Sequence, residues 1–402
     1  MNSSHRRHSH IKALILLSIM GLDLSWNATA HANETILDEF KSSGIDIIGG
    51  ITTYLQSSDG APQNATALSY SLDLGFEAAV SEHGKVIIAL EAGDGKGINA
   101  TLNSLSTAGY DPYLTNITAS NPDTTNIVVP SVSQLYYEGD YPEENLVATI
   151  GKIDINGMFD ENAYANDETD QFMSGIFVRS IGTNFAELDQ YYAPAVALQY
   201  SASKWIDLSF IAANGNGDGF NDVFDYMYLV GQINIKANLG NQLGNYRFYA
   251  ISDNRRSAQT TFTKISDGSK TRNTGWGLSF DQALADHVGL FARYSSQDDG
   301  IAENIVKSSW SLGSLLEGTL WGRDRDTIGI AYGSVNLNHK ADLATALGTG
   351  NTGDESHVEA FYKVGVSKQF TLTVDAQVIN NNGGNATADT VTVAGLRGQL
   401  NF

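Results

Sequence analysis

Over long stretches of this chain, apolar and polar side chains alternate residue by residue. From Leu68 to Val80 the set Leu68, Tyr70, Leu72, Leu74, Phe76, Ala78 and Val80 carries no charge, while Ser69, Ser71, Asp73, Gly75, Glu77 and Ala79 fill the intervening positions. Ile206, Leu208, Phe210 and Ala212 alternate in the same way with Asp207 and Ser209, and Phe370, Leu372, Val374, Ala376 and Val378 with Asp375 and Gln377. At the end of the chain Thr392, Ala394, Leu396, Gly398, Leu400 and Phe402 share one face, with Arg397, Gln399 and Asn401 on the other. Successive side chains of a strand point to opposite sides, so each segment is a ribbon with one apolar and one polar face.

Sixteen segments carry the pattern, near 47–56, 68–80, 85–95, 132–139, 146–154, 195–202, 205–213, 226–236, 245–253, 274–282, 287–296, 308–322, 326–336, 357–366, 370–380 and 390–402. Most approach the roughly 9–11 residues that a tilted strand needs to cross a bilayer. With both chain ends on one side, every second connection is short: 81–84, 140–145, 203–204, 237–244, 283–286, 323–325 and 367–369. The others include 96–131, 155–194, 254–273 and 337–356, all long and rich in Asn, Asp, Gly, Ser and Thr. Strict alternation of short turns and long loops belongs to a transmembrane barrel, and a soluble sandwich has no reason to show it. The prediction is an all-β fold: a closed antiparallel transmembrane β-barrel over 45–402, with short periplasmic turns and long extracellular loops. No long plug region is expected ahead of the first strand.

The N-terminus agrees with export. Arg6, Arg7 and Lys12 precede an apolar run from Ala13 to Leu22, and Ala30-His31-Ala32 offers a small-x-small cleavage site, which predicts a signal peptide over 1–32. Residues 33–44 are expected to form a short periplasmic segment, helical or disordered. A formal charge of −21 argues against a nucleic-acid partner. The absence of cysteine excludes disulfides and thiolate metal sites, so stability must come from strand pairing and packing.

The connection 155–194 carries Asp160, Glu161, Asp167, Glu168, Asp170, Glu187 and Asp189 against Arg179 alone. Within it Thr169–Val178 places Phe172, Met173, Ile176 and Phe177 at helical spacing, so an apolar face is available to fold inward. The expectation is a constriction loop inside the lumen. On the predicted inner wall, Arg247, Arg293, Lys363 and Arg397 stand with Glu77, Glu91, Glu317, Glu359 and Asp375. An acidic loop opposite basic wall groups sets a transverse field that favours polar solutes. Tyr136, Phe291, Trp321 and Phe361 fall on the inner face by parity and are candidates for stacking on sugar rings.

Asn214, Asn216, Asp218, Asp222 and Asp225, with Gly219, match the spacing of a calcium-binding loop, although the flanks are strands and two ligands are uncharged. Polar turns often give this pattern, so calcium is a weak candidate and no other cofactor is expected. For an enzyme, His357 near Ser356 or Ser334 is the sole weak nucleophile–base pairing. No enzyme activity is expected.

Two stretches resemble the carbohydrate-selective porin family (OprB-like): TIGKIDINGMFDENAYANDETDQF, from Thr149 to Phe172, and the region from Ser308 onward with SSWSLGSLLEGTLWGRDRDTIGIAYG, HVEAFYKVGVSKQFTLTVDAQVINNNGG and VAGLRGQLNF. The resemblance implies a sixteen-stranded outer-membrane porin of a Gram-negative bacterium, trimeric and surrounded by outer-membrane lipid, that passes sugars or similar small polar solutes by facilitated diffusion. Family relatives tend to carry more pore arginine than this chain does. A general cation-preferring or metal-complex uptake pore is therefore an alternative, and an adhesion barrel with an occluded lumen is another. Channel conductance separates these classes.

Overall fold

The computed structural model describes residues 40–60, 64–95, 97–102, 104–106, 108, 131–183, 192–215, 223, 227–254, 272–301 and 304–402. The predicted leader and the calcium-loop positions Asn216, Asp218, Asp222 and Asp225 lie outside them. Of the segment 33–44, residues 40–42 have helical backbone, and Gly44 turns the chain into the barrel with φ of 79°.

Sixteen strands form one closed antiparallel sheet: β1 (Ile45–Asp59), β2 (Ala65–Ser81), β3 (Gly84–Asp94), β4 (Ser131–Tyr141), β5 (Leu146–Asp154), β6 (Tyr192–Ser203), β7 (Ile206–Asn214), β8 (Met227–Leu239), β9 (Gln242–Asp253), β10 (Asn273–Ala285), β11 (Val288–Gln297), β12 (Val306–Glu317), β13 (Thr327–Leu337), β14 (Glu355–Gly365), β15 (Phe370–Asn380) and β16 (Val391–Asn401). Each strand pairs with its sequence neighbours, and β1 pairs with β16 to close the seam. Phe402 completes that seam, because its backbone exchanges hydrogen bonds of 2.9 and 3.1 Å with Gly49. A Cβ on Gly49 would sit 2.7 Å from the Phe402 ring, so the terminal aromatic lies over a position that only glycine leaves open. Closure removes every sheet edge, which satisfies the backbone polar groups where no water is available.

The distribution of side chains is the reverse of a soluble core. Ile150, Phe210, Leu312, Ile330 and Val374 point outward and are exposed, whereas Arg293, Glu359, Asp375, Gln377 and Arg397 point inward and are buried. An exposed apolar belt around a buried polar interior suits hydrocarbon outside and polar groups within. The predicted alternation is therefore the observed one, and the segment boundaries fall within a few residues of it.

One boundary differs in a way that matters. The predicted strand 308–322 ends at Glu317, and Gly318–Trp321 forms a 3-10 turn. Gly318 donates to the carbonyl of Asp326 at 2.8 Å, and Gly322 adopts φ of 79°, so the chain reverses before Trp321 can join the ladder. The connection is longer than predicted, and Trp321 leaves the barrel wall.

Candidate functional site

The connection after β5 turns into the lumen instead of away from the barrel. Phe159 enters first, buried among Ile153, Ala193, Ala195, Ile211, Val230 and Tyr249, its ring edge-on to Tyr249 at 5.3 Å. Farther on, Phe172, Ile176 and Phe177 pack against inward-facing residues of β11 to β14. Phe172 lies 5.4 Å from Phe291 and 5.0 Å from Phe361, ring centre to ring centre. The predicted helix over Thr169–Val178 shrinks to the single turn Gly175–Val178. The wall supplies the backbone partners that a longer helix would have provided, since Glu359 accepts the N–H groups of Met173 at 2.6 Å and Ser174 at 2.9 Å.

The basic wall groups are the loop's fastenings. Arg293 donates to the Asp160 carboxylate at 3.3 Å, to the Asp160 carbonyl at 2.8 Å, to the carbonyl of Phe177 at 2.5 Å and to that of Ala165. Arg397 donates to the carbonyls of Glu168 at 2.7 Å and Gln171 at 3.0 Å. Lys363 pairs with Asp170 at 2.6 Å, and Arg247 pairs with Asp281 on the neighbouring strand. Arg247, Arg293 and Arg397 are buried. The expected basic face opposite an acidic loop is therefore absent at these four positions, because each cation is neutralised or capped locally. Guanidinium groups suit this task, presenting several donors in a fixed fork to carbonyl and carboxylate oxygens.

Asp160 turns the loop with left-handed backbone, at φ of 56°. Its N–H donates to Gln232 at 3.1 Å, and its carboxylate accepts from Ser180 N–H at 2.8 Å. Aspartate tolerates this left-handed backbone better than most residues. Burial pushes the neighbouring Glu161 carboxyl above its ordinary pKa, with Arg247 acting in the opposite direction. Asp167 is exposed and accepts from Thr169 within its own turn, so it shapes the loop. Gly182 donates to the hydroxyls of Ser295 and Ser309, both at 2.9 Å, and a Cβ there would lie 2.7 Å from the wall.

The four aromatic candidates do not form a track. Phe291 and Phe361 are covered by Phe172, and a Cβ at Gly313 or Gly329 on the adjacent strands would collide with their rings. Trp321 sits in the short-turn end, 6.3 Å from the outward-facing Tyr362. Tyr136 alone stays half-buried on the inner wall, against the Phe159 cluster. Glu317 lies at the short-turn rim, 3.0 Å from His287, outside the constriction. Asn214 is buried at the end of β7, and among the described residues no cluster of three His, Asp or Glu side chains is placed to hold a metal.

A cavity of about 120 Å³ lies between the loop and the roots of β5 and β6, lined by Asp154, Asn156, Asn166, Glu168, Arg179 and Tyr192. Tyr192 donates to Glu91 at 2.5 Å across this side of the wall. Its lining mixes carboxylates, amides, a phenol and a guanidinium, so it offers polar solutes both donors and acceptors. Asp154 and Tyr192 were not among the predicted positions. They bracket the long connection as the last residue of β5 and the first of β6, which is the signal that marks them.

A closed sheet with an apolar exterior, a polar interior and an inserted loop that narrows the lumen is the architecture of a porin, a channel. Residues 57–402 match the carbohydrate-selective porin, OprB family, and the chain belongs to that family of outer-membrane porins. The fold is similar to the high-pH structure of Pseudomonas putida OprB, with a TM-score of 0.76 at 16% identity over 94% of this chain and 97% of that one. It is also similar to the anion-selective porin from Comamonas acidovorans, with a TM-score of 0.56 at 12% identity over 89% of this chain and 99% of that one. In sequence it resembles Porin AaxA of Chlamydia pneumoniae, 24% identical over 74% of this chain and 64% of the relative. Porin AaxA of Chlamydia felis is 21% identical over 62% of this chain and 52% of the relative. The chain thus spans between about half and two thirds of the length of these curated relatives.

Proposed function

We propose that the chain admits small polar solutes, carbohydrates in the first place, by passive diffusion through the passage beside the infolded loop. The observation that carries this reading is the docked connection 155–183. A loop held by Arg293, Arg397, Glu359 and Lys363 narrows the lumen, and the cavity beside it is lined by side chains able to exchange hydrogen bonds with hydroxyl groups. Small-solute passage requires no cofactor and no coupling to energy. In this reading the long loops face outward from the cell, the apolar belt meets outer-membrane lipid, and three copies assemble side by side.

A second reading is favoured by one observation. Arg247, Arg293, Arg397 and Lys363 are all engaged with the loop or wall, and two carboxylates, Glu168 and Asp154, line the cavity against one guanidinium, Arg179. That balance favours cations over anions of equal size. Swelling of proteoliposomes with a graded sugar series, beside amino acids of matched size, tests the first reading. Faster sugar entry supports it, and dependence on size alone reduces the protein to a general pore. A reversal potential in a salt gradient with the sign of anion preference rejects the second.

A further inference from the structure

We propose that the inner face of β14 positions the constriction: Glu355, His357 and Glu359, at alternate residues of one strand, fasten three separate connections into a single body. The proposal rests on the docked-loop passage above and concerns what holds its shape. All three side chains are fully buried.

Glu355 gathers donors from two loops. Its carboxylate accepts from Ser104 Oγ at 2.8 Å, Leu105 N–H at 3.0 Å, Ser106 N–H at 2.7 Å and Ser106 Oγ at 2.5 Å, all in the connection after β3. It also accepts from Gly383 N–H at 2.7 Å, in the connection between β15 and β16. Glu359, farther along the same face, binds the N–H groups of Met173 and Ser174 in the connection after β5. Carboxylates with this many donors accept strong, charge-assisted bonds.

His357 stands between them and touches both infolded loops. Its Nδ1 lies 2.8 Å from Ser106 Oγ and 3.1 Å from Ser174 Oγ. The neighbouring Gln377 donates its amide to the Ala108 carbonyl and to Asp375, each at 2.7 Å, which turns its carbonyl oxygen toward His357 Nε2 at 3.0 Å. That arrangement places the imidazole proton on Nε2 and leaves Nδ1 to accept from a loop hydroxyl. Ser174 Oγ is also 3.2 Å from the Ser106 carbonyl, so the two loops meet directly where His357 holds them. The Phe177 ring closes the contact edge-on at 5.7 Å.

The consequence is coupling at a distance. Glu355 bonds the connection after β3, and Glu168 of the passage belongs to the connection after β5, yet both hang on one strand face through His357. Loosening the first loop therefore loosens the second. The chain has no native cysteine, so single spin labels report each loop cleanly. The full barrel is labelled at Asp167→Cys or, separately, at Thr101→Cys in the connection after β3, and electron paramagnetic resonance spectra are compared in the otherwise native, Glu355→Gln and His357→Phe backgrounds. Retained heat-modifiable migration on gels shows that the barrel is folded.

The loss of one buried acceptor is expected to raise the mobile fraction at position 167 by roughly 10-fold, even in Glu355→Gln, where the substituted side chain contacts only the other loops. A mobile spectrum at 101 with an unchanged spectrum at 167 in both variants would overturn the proposal, since each loop would then be held alone. The labels report loop coupling with no solute present, so a failed permeation assay bears on the proposed function and leaves this result standing.

Discussion

The two halves of the inner wall differ in what their polar side chains do. From β9 to β16 the charged groups under the loop are occupied: Arg293 and Arg397 cap loop carbonyls, Glu359 holds loop N–H groups, Lys363 meets Asp170 and Arg247 meets Asp281. At the roots of β5 and β6, Asp154 and Tyr192 line a cavity beside Glu168 and Arg179 of the loop. The contrast teaches that an inward charge in a barrel is not by itself a pore charge. Where a loop lies on the wall, buried charge is required to satisfy the loop's backbone, because an irregular segment inside a barrel has no ladder of its own.

The largest break in this contrast is expected from Arg293→Ala. It strips the hub from Asp160 and several carbonyls at once and leaves a buried carboxylate unpaired, at a cost of about 3–5 kcal/mol to loop docking. Limited proteolysis should then cut within 155–183 while the barrel keeps its folded migration on gels. Phe172→Ala attacks the same sector through packing. The cavity left between Phe291, Phe361 and Phe177 should cost about 3 kcal/mol and lower the thermal transition of the loop.

Gly329→Ala comes next. A Cβ there would occupy the space of the Phe361 ring, and repacking is expected to cost about 1–3 kcal/mol, read from the same melt. In the opposite sector the effects should separate from stability. Glu168→Gln should cost the melt less than Phe172→Ala while shifting the reversal potential away from cation preference. A stability loss as large as that of Phe172→Ala would erase the distinction between the two sectors.

The smallest expected effect lies at the short-turn end, outside both sectors. Arg323 holds the Asp326 carboxyl below its ordinary pKa, and burial opposes this; Tyr362 and the Gly365 N–H add to the depression. A depressed carboxylate stabilises the fold above its unfolded pKa of roughly 3.9 and loses that contribution as the pH falls through its folded value. The contribution of Asp326 to the melting temperature should therefore hold from neutral pH down to about 4 and fall below it, read as the difference between the native and Asp326→Asn melts.

The barrel was legible in the sequence because its physics is local. Each residue of a strand faces oil or water by parity, so Leu372, Val374 and Ala376 declare the outer face without reference to any partner. The inward loop was legible for the same reason, since Phe172, Ile176 and Phe177 cannot remain in water at little cost. The roles of the wall residues were not legible, because they depend on which loop atom arrives at which strand position. Nothing along the chain links Arg293 to Phe177, or Glu359 to Met173. The glycines under Phe291 and Phe361 were hidden likewise, since their neighbours are set by inter-strand register. Trp321 was misplaced because alternation continued past the turn that Gly318 and Gly322 impose.

The central claim is that the docked connection 155–183 sets the size of the passage. Entry rates of mono- to tetrasaccharides into proteoliposomes, compared between the native protein and Arg293→Ala, test it most directly. A steep fall in rate with sugar size is expected for the native barrel and a markedly shallower one for the variant. Superimposable size curves, with the loop of the variant shown to be released, would contradict it.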